Sequence, residues 1–142
     1  MDTTREIVRA YMDALMNNGD FGPYMADDVV FKMVDVGMEI RGRQDVVAAI
    51  VNWHQQTFDA KIEMAGMMVA GEQAVAELVF VATQMDVFLG IPATGRSVRA
   101  PYSAFYEVRD GSIAEVRVYG VIPTIVMQLT ADQAPAAATQ GS

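Results

Sequence analysis

Apolar positions recur at helical spacing near the start of the chain and at strand spacing over most of its second half. Ile7, Tyr11 and Leu15 stand four residues apart, and Thr3 with Glu6 forms a capping box. A helix is therefore predicted over about residues 3–17, and Asn17-Asn18-Gly19 offers a left-handed end. Gly22-Pro23 predicts a short helical turn through Tyr24 and Met25. Val29 to Asp35 is β-branched and aromatic enough for a strand that ends near Gly37. Val46, Ile50 and Trp53 mark the apolar stripe of a further helix over Gln44 to Thr57.

After Asp59 the period changes to that of strands. Lys61–Ala70, Gln73–Gln84, Ser97–Val108 and Ser112–Tyr119 are four candidates in succession. Gly71-Glu72 joins the first pair, and Arg109-Asp110-Gly111 joins the last, Asp-Gly being a strong hairpin signal. The segment from Gly90 to Gly95 reads as a loop, and a last short helix fits Pro123 to Leu129. Helices followed by an antiparallel meander predict an α+β fold rather than alternating βαβ units. A curved sheet wrapped over helices can enclose an apolar cavity.

Length and charge narrow the function. The 142 residues suit one domain, expected over 1–130, with residues 131–142 too poor in apolar side chains to pack and expected to form a disordered tail. A net charge of −8 disfavours nucleic acid as a partner. The chain has no cysteine and one histidine, which argues against a thiolate zinc site, a His-rich metal site or a disulfide framework; no metal is expected. Asp2 and Glu6 break any signal-peptide pattern, and no apolar run approaches the ~20 residues that span a bilayer, so no membrane partner and a cytoplasmic location are expected. Neither a dinucleotide fingerprint, a P-loop nor a nucleophile elbow is present, and no cofactor is expected.

Several side chains could carry chemistry. Alternation puts Glu115, Arg117 and Tyr119 on one face of the last strand and Ala114, Val116 and Val118 on the other. The first face offers a carboxylate, a cation and a phenol to a substrate, or else an ion pair to solvent. His54, the lone histidine, follows Trp53 and is of the residue type that titrates nearest neutrality, which suits a proton carrier at a pocket as well as a packed or surface histidine. Asp35 shares a strand face with Phe31 and Met33, apolar neighbours that would suit a general acid or base, or else it marks a solvated strand end before Gly37. Tyr102 alternates with Ala104 and Tyr106, small and aromatic residues suited to a cavity wall as well as to plain sheet packing. Met67, Met68 and Met85 fit either an adaptable pocket or a core.

The run Phe88-Leu-Gly-Ile-Pro-Ala-Thr-Gly-Arg96, the Arg109-Asp-Gly turn and Glu115-x-Arg117-x-Tyr119 resemble the SnoaL-like polyketide cyclases. Upstream, the segment from Val29 to Ile50 is similar to that family's first strand, Gly-Arg loop and following helix. The family lies in the nuclear transport factor two-like superfamily, with ketosteroid isomerase, scytalone dehydratase and limonene epoxide hydrolase. The resemblance implies a cone-shaped α+β barrel, its helices packed on a strongly curved antiparallel sheet. It also implies a cofactor-free cyclase or isomerase of secondary metabolism, such as antibiotic biosynthesis, working by acid/base catalysis on a small apolar poly-carbonyl or polycyclic ligand. A homodimer through the outer sheet face is expected by the same resemblance. The family's usual acid, two places after the aromatic at Tyr119, corresponds here to Val121, and its common histidine corresponds to Gln84. The expected catalytic groups are then Glu115, Arg117, His54 and Asp35, the charged strand face being placed inward by the family phase. Tyr119, Tyr102, Trp53, Gln84, Phe31 and Met33 are expected to contact substrate. Epoxide opening of the limonene epoxide hydrolase type and ligand binding without chemistry are the alternatives.

Overall fold

The computed structural model describes residues 3–131, so the expected tail beyond residue 131 lies outside the described residues. Helix α1 spans Thr3–Met16 and buries Val8, Tyr11 and Met12 along its apolar stripe. Asn18 adopts the left-handed conformation anticipated for its end (φ 56°). Pro23 then sits in a single turn at Gly22–Tyr24.

Strand β1 runs over Met25–Met33, four residues earlier than its β-branched centre suggested, and stops before Asp35. A turn at Val34–Val36 and Gly37 (φ 68°) reverse the chain into β2, Met38–Arg41. Four residues are too few to display an alternation, which is why β2 left no signal in the sequence. Helix α2, Arg43–Asn52, is continued by a wider π-helical turn at Trp53–Thr57. The meander follows as β3 (Phe58–Ala70), β4 (Gln73–Gln84), β5 (Ser97–Arg109) and β6 (Ser112–Tyr119), and α3 covers Val121–Leu129.

The six strands form one open sheet in the order β2-β1-β6-β5-β4-β3. Every pairing is antiparallel except β1 with β6, which is parallel, so the expected antiparallel sheet is mixed at that one seam. The chain leaves β2 through α2, and the meander starts at the far edge and returns beside β1 at its end. No tight turn joins β1 to β6, and nothing therefore forces the two strands to oppose. The α+β class and the helix-on-sheet layering are as the sequence implies.

Cross-strand register sets the inner surface. One row reads Phe31, Val116, Tyr106 and Ala74, and the next reads Met33, Val118, Ala104 and Ala76. All eight are buried. Further along, Tyr102 faces Leu78, and Ala100 faces Phe80. Alanine is a poor strand former, so a row of alanines at the middle of the sheet leaves volume that larger side chains would have filled.

Candidate active site

That missing volume is a cavity of about 280 Å³ between the sheet, α1, α3 and the end of α2. Among the described residues its wall contains no Asp, Glu, Lys or Arg. Its polar groups are His54, Asn52, Thr57, the indole N–H of Trp53 and the phenols of Tyr11, Tyr102 and Tyr106.

The π turn at the end of α2 seats neighbouring side chains over different strands. Trp53 packs on Phe31 of β1, ring centroids 5.6 Å apart, and His54 meets Phe80 of β4 edge to face at 5.5 Å. Asn52 Nδ2 donates to Thr57 Oγ1 across the turn at 3.3 Å. His54 Nδ1 lies 2.7 Å from the Ile50 carbonyl oxygen. A carbonyl only accepts, so the proton of the neutral ring sits on Nδ1, and Nε2 carries the lone pair. Burial lowers the imidazole pKa below its ordinary 6.5, the Ile50 carbonyl opposing that shift in part. Nε2 has no hydrogen-bond partner among the described residues.

Three phenols line the wall from α1 and β5. Tyr11 and Tyr106 stack edge to face at 5.7 Å, and the Tyr106 hydroxyl donates to the Met12 sulfur at 3.4 Å. Burial raises all three phenol pKa values, and the mutual repulsion of phenolates adds to the shift at Tyr102 and Tyr106. They are neutral donors at any ordinary pH. The hydroxyls of Tyr11 and Tyr102 donate to no other described group, although no fully buried side-chain polar atom among the described residues lacks a partner. Both hydroxyls therefore retain access to the cavity. Tyr11, read from the sequence only as part of the α1 stripe, was missed; the signal was a tyrosine where a leucine would pack without a polar tip.

The structure brings His54, Trp53, Tyr102, Phe31 and Met33 to this wall. It sends the other expected groups elsewhere. Val116 and Val118 of β6 point inward, so Glu115, Arg117 and Tyr119 lie on the outer face, against expectation. Burying the two valines removes apolar area from water, whereas burying the charged pair costs desolvation that its attraction does not reliably return. Outside, Arg117 Nη1 donates to Glu115 at 2.6 Å and to Glu107, whose strand position directly faces Glu115. These bonds, that to Glu115 foremost, hold the guanidinium still more firmly protonated than usual. Lys32 stands 3.7 Å from Glu115, and Arg117 lies over the Phe105 ring, which meets Tyr119 at 5.5 Å.

Asp35 is exposed rather than enclosed, because the strand ends two residues before it. Its Oδ2 accepts the Gly120 N–H at 2.7 Å, at the residue that leads into α3. Gln84 is buried but does not reach the cavity; its side chain is committed to the 86–94 loop. Nε2 donates to the carbonyls of Asp86 and Ile91, and Oε1 accepts from the Thr94 N–H and hydroxyl. An amide has two donors and two lone pairs, so no capacity remains for a ligand. Val121, at the family's acid position, does line the cavity, with an aliphatic side chain.

A family model described as SnoaL-like polyketide cyclase matches residues 5–122. A candidate SnoaL-like polyketide cyclase of Jannaschia sp. CCS1 superposes with a TM-score of 0.81 at 18% identity, covering 91% of this chain and 92% of that one. A candidate polyketide cyclase of Pseudomonas putida KT2440 gives 0.77 at 25% identity, over 90% and 98%. A protein of Catenulispora acidiphila DSM 44928 with a ketosteroid isomerase-like fold, solved with trimethylamine, gives 0.69 at 18% identity, over 87% and 91%. No curated protein matches the chain. The structural likenesses carry the fold, an α+β cone, and the family match supports a cyclase- or isomerase-type function. Among the described residues no helix is long and apolar enough to cross a membrane.

Proposed function

We propose a specific chemistry for this chain, which belongs to the SnoaL-like polyketide cyclase family: a cofactor-free aldol cyclisation of a small apolar poly-carbonyl compound, with His54 as base and Tyr102 as donor to the enolate oxygen. The observation that carries it is the state of His54. Its Nδ1 proton is engaged by Ile50, its Nε2 lone pair is unengaged, and its pKa is lowered, all in a cavity without Asp, Glu, Lys or Arg among the described residues. A carbon acid between two carbonyls is acidic enough for a neutral imidazole to deprotonate.

Nε2 takes the proton from that carbon, and the C–H electron pair becomes the enolate, whose oxygen accepts a hydrogen bond from Tyr102. The enolate carbon attacks a second carbonyl carbon of the same molecule and forms the new C–C bond. The resulting alkoxide recovers the proton from Nε2, so the adduct is an isomer of the substrate. Holding both reacting carbons in one confined space supplies a share of the acceleration by proximity. Neutral walls favour an uncharged substrate, because a carboxylate would lose its hydration without gaining a cation.

Incubation with nonane-2,4,8-trione, an uncharged linear triketone whose C3 lies between two carbonyls and closes a six-membered ring on C8, tests the reading by product mass and retention. Cyclisation gives an isomer or that isomer less one water, in excess of the buffer control. Saturable binding with no product above that control would instead make the protein a carrier. Epoxide opening by an Asp-Arg-Asp set is not supported, since Arg117 is outside and no carboxylate or arginine lines the cavity among the described residues. We also propose a homodimer through the outer sheet face, where Phe105 and Tyr119 remain partly exposed; light scattering at micromolar concentration should give twice the chain mass, and the chain mass alone would refute it.

A further inference from the structure

Nine large apolar side chains are exposed among the described residues, and five of them, Val34, Val36, Met85, Val87 and Leu89, fall in two short segments at the cavity mouth. Val36, Val87 and Leu89 line the cavity and yet remain 47%, 58% and 55% exposed. Exposed apolar side chains are ordinary when scattered and informative when gathered.

The loop that carries two of them is built rather than loose. Phe88 and Ile91 exchange both backbone hydrogen bonds, at 3.0 and 2.8 Å, closing a tight turn with Leu89 and Gly90 at its tip. The N–H groups of Met85 and Asp86 both donate to the Thr57 carbonyl, tying the loop to the π turn beside His54. Gln84, 1% exposed, spends all four of its side-chain hydrogen bonds on the same loop. Leu89 has a φ of 49°. Turns of this kind favour Asn or Asp before glycine, and a leucine is strained there. A strained leucine, held out into water at the lip of an apolar cavity, costs stability without an evident structural return.

We propose that Leu89 and Val87 on this pinned loop, with Val36 of the turn after β1, form an apolar rim that grips the part of an uncharged substrate extending beyond the cavity. This inference rests on the cavity being the substrate site. A space of about 280 Å³ lies at the small end for ligand pockets, and Val36, Val87 and Leu89 belong to its lining while also facing solvent. The favoured substrates are thus neutral carbonyl compounds with an apolar extension, and Leu89 selects for that extension.

Prodan, a neutral fluorescent naphthyl ketone with a propionyl chain, and its hexanoyl homologue differ only in three methylenes. Each methylene fully removed from water is worth roughly fourfold in affinity, so a rim that covers half of their surface should favour the longer probe about eightfold. Leu89→Asn should reduce that preference to about twofold while leaving the melting temperature equal or higher, since asparagine tolerates the left-handed conformation. Met127→Ser, which removes an exposed methionine outside the cavity wall, should keep the full preference. A preference unchanged by Leu89→Asn, or reduced as much by Met127→Ser, overturns the rim and leaves the cavity reading standing. Failure of both probes to bind overturns the cavity reading, and the rim falls with it.

Discussion

At β6 the same three residues that promised chemistry in the sequence, Glu115, Arg117 and Tyr119, illustrate what alternation can and cannot tell. Alternation fixes that they share a face, and they do. It does not say which face is dry, and the family phase pointed the wrong way because apolar valines occupy the positions between. The outer location gives Arg117 a defined task, standing between Glu107 and Glu115, which oppose each other across β5 and β6. Arg117→Ala should therefore lower unfolding free energy by about 1 kcal/mol, the modest worth of a half-exposed network, and leave prodan affinity unchanged. A loss of affinity at intact stability would return the triad to the site. His54 was legible for the opposite reason: a lone imidazole needs no phase, only a place on the helix stripe. Asp35 and Gln84 were misread because a carboxylate that ties down the backbone before a helix and an amide that pins a loop look, in one dimension, like groups awaiting a substrate.

Among the elements, the strands after Asp59 were readable nearly to the residue, as β4 and β6 show, since long half-buried strands alternate cleanly. The break of α2 into a π turn was not, because hydrophobic spacing barely distinguishes one wide turn from a regular one. Nor was the parallel seam of β1 with β6, since pleat alternation is the same in either direction. The alanine row across β4 and β5 is the element-scale cause of the cavity, and it can be closed. Ala104→Leu places three more carbons inside the sheet row that runs from Met33 to Ala76. Prodan affinity should fall at least about tenfold, with stability unchanged or raised by up to about 1 kcal/mol as void is filled. A marked loss of stability would mean that the space is already packed.

Seen as one molecule, the cavity wall holds three protonated phenols and a neutral imidazole, and both kinds of group tie stability to pH. The buried phenols of Tyr11, Tyr102 and Tyr106 resist ionisation that occurs near 10 in the unfolded chain. Above that pH the unfolded state binds fewer protons than the native one, so stability present below 10 is lost as pH rises. Each phenol contributes a slope of about 1.4 kcal/mol per pH unit, and urea unfolding across the alkaline range should show Tyr106→Phe removing about a third of the phenol part. A slope unaltered by that substitution would place the ring in water. His54 works in the other direction: its lowered pKa keeps Nε2 unprotonated, so a rate that depends on it stays level above 6.5 and falls only in more acid solution.

That base is the centre of the account, and it can be tested without knowing the natural substrate. β-Tetralone is an uncharged bicyclic ketone with an acidic carbon beside its carbonyl, and deuterium exchange into that carbon from heavy water, followed by proton NMR, reports proton abstraction alone. The protein should accelerate exchange above buffer, with a rate level above pH 6.5 and declining below it. His54→Gln, folded by circular dichroism, should lose that acceleration by about a hundredfold or more. Exchange by His54→Gln at the rate of the unaltered protein would contradict the assignment of the base and with it the proposed mechanism.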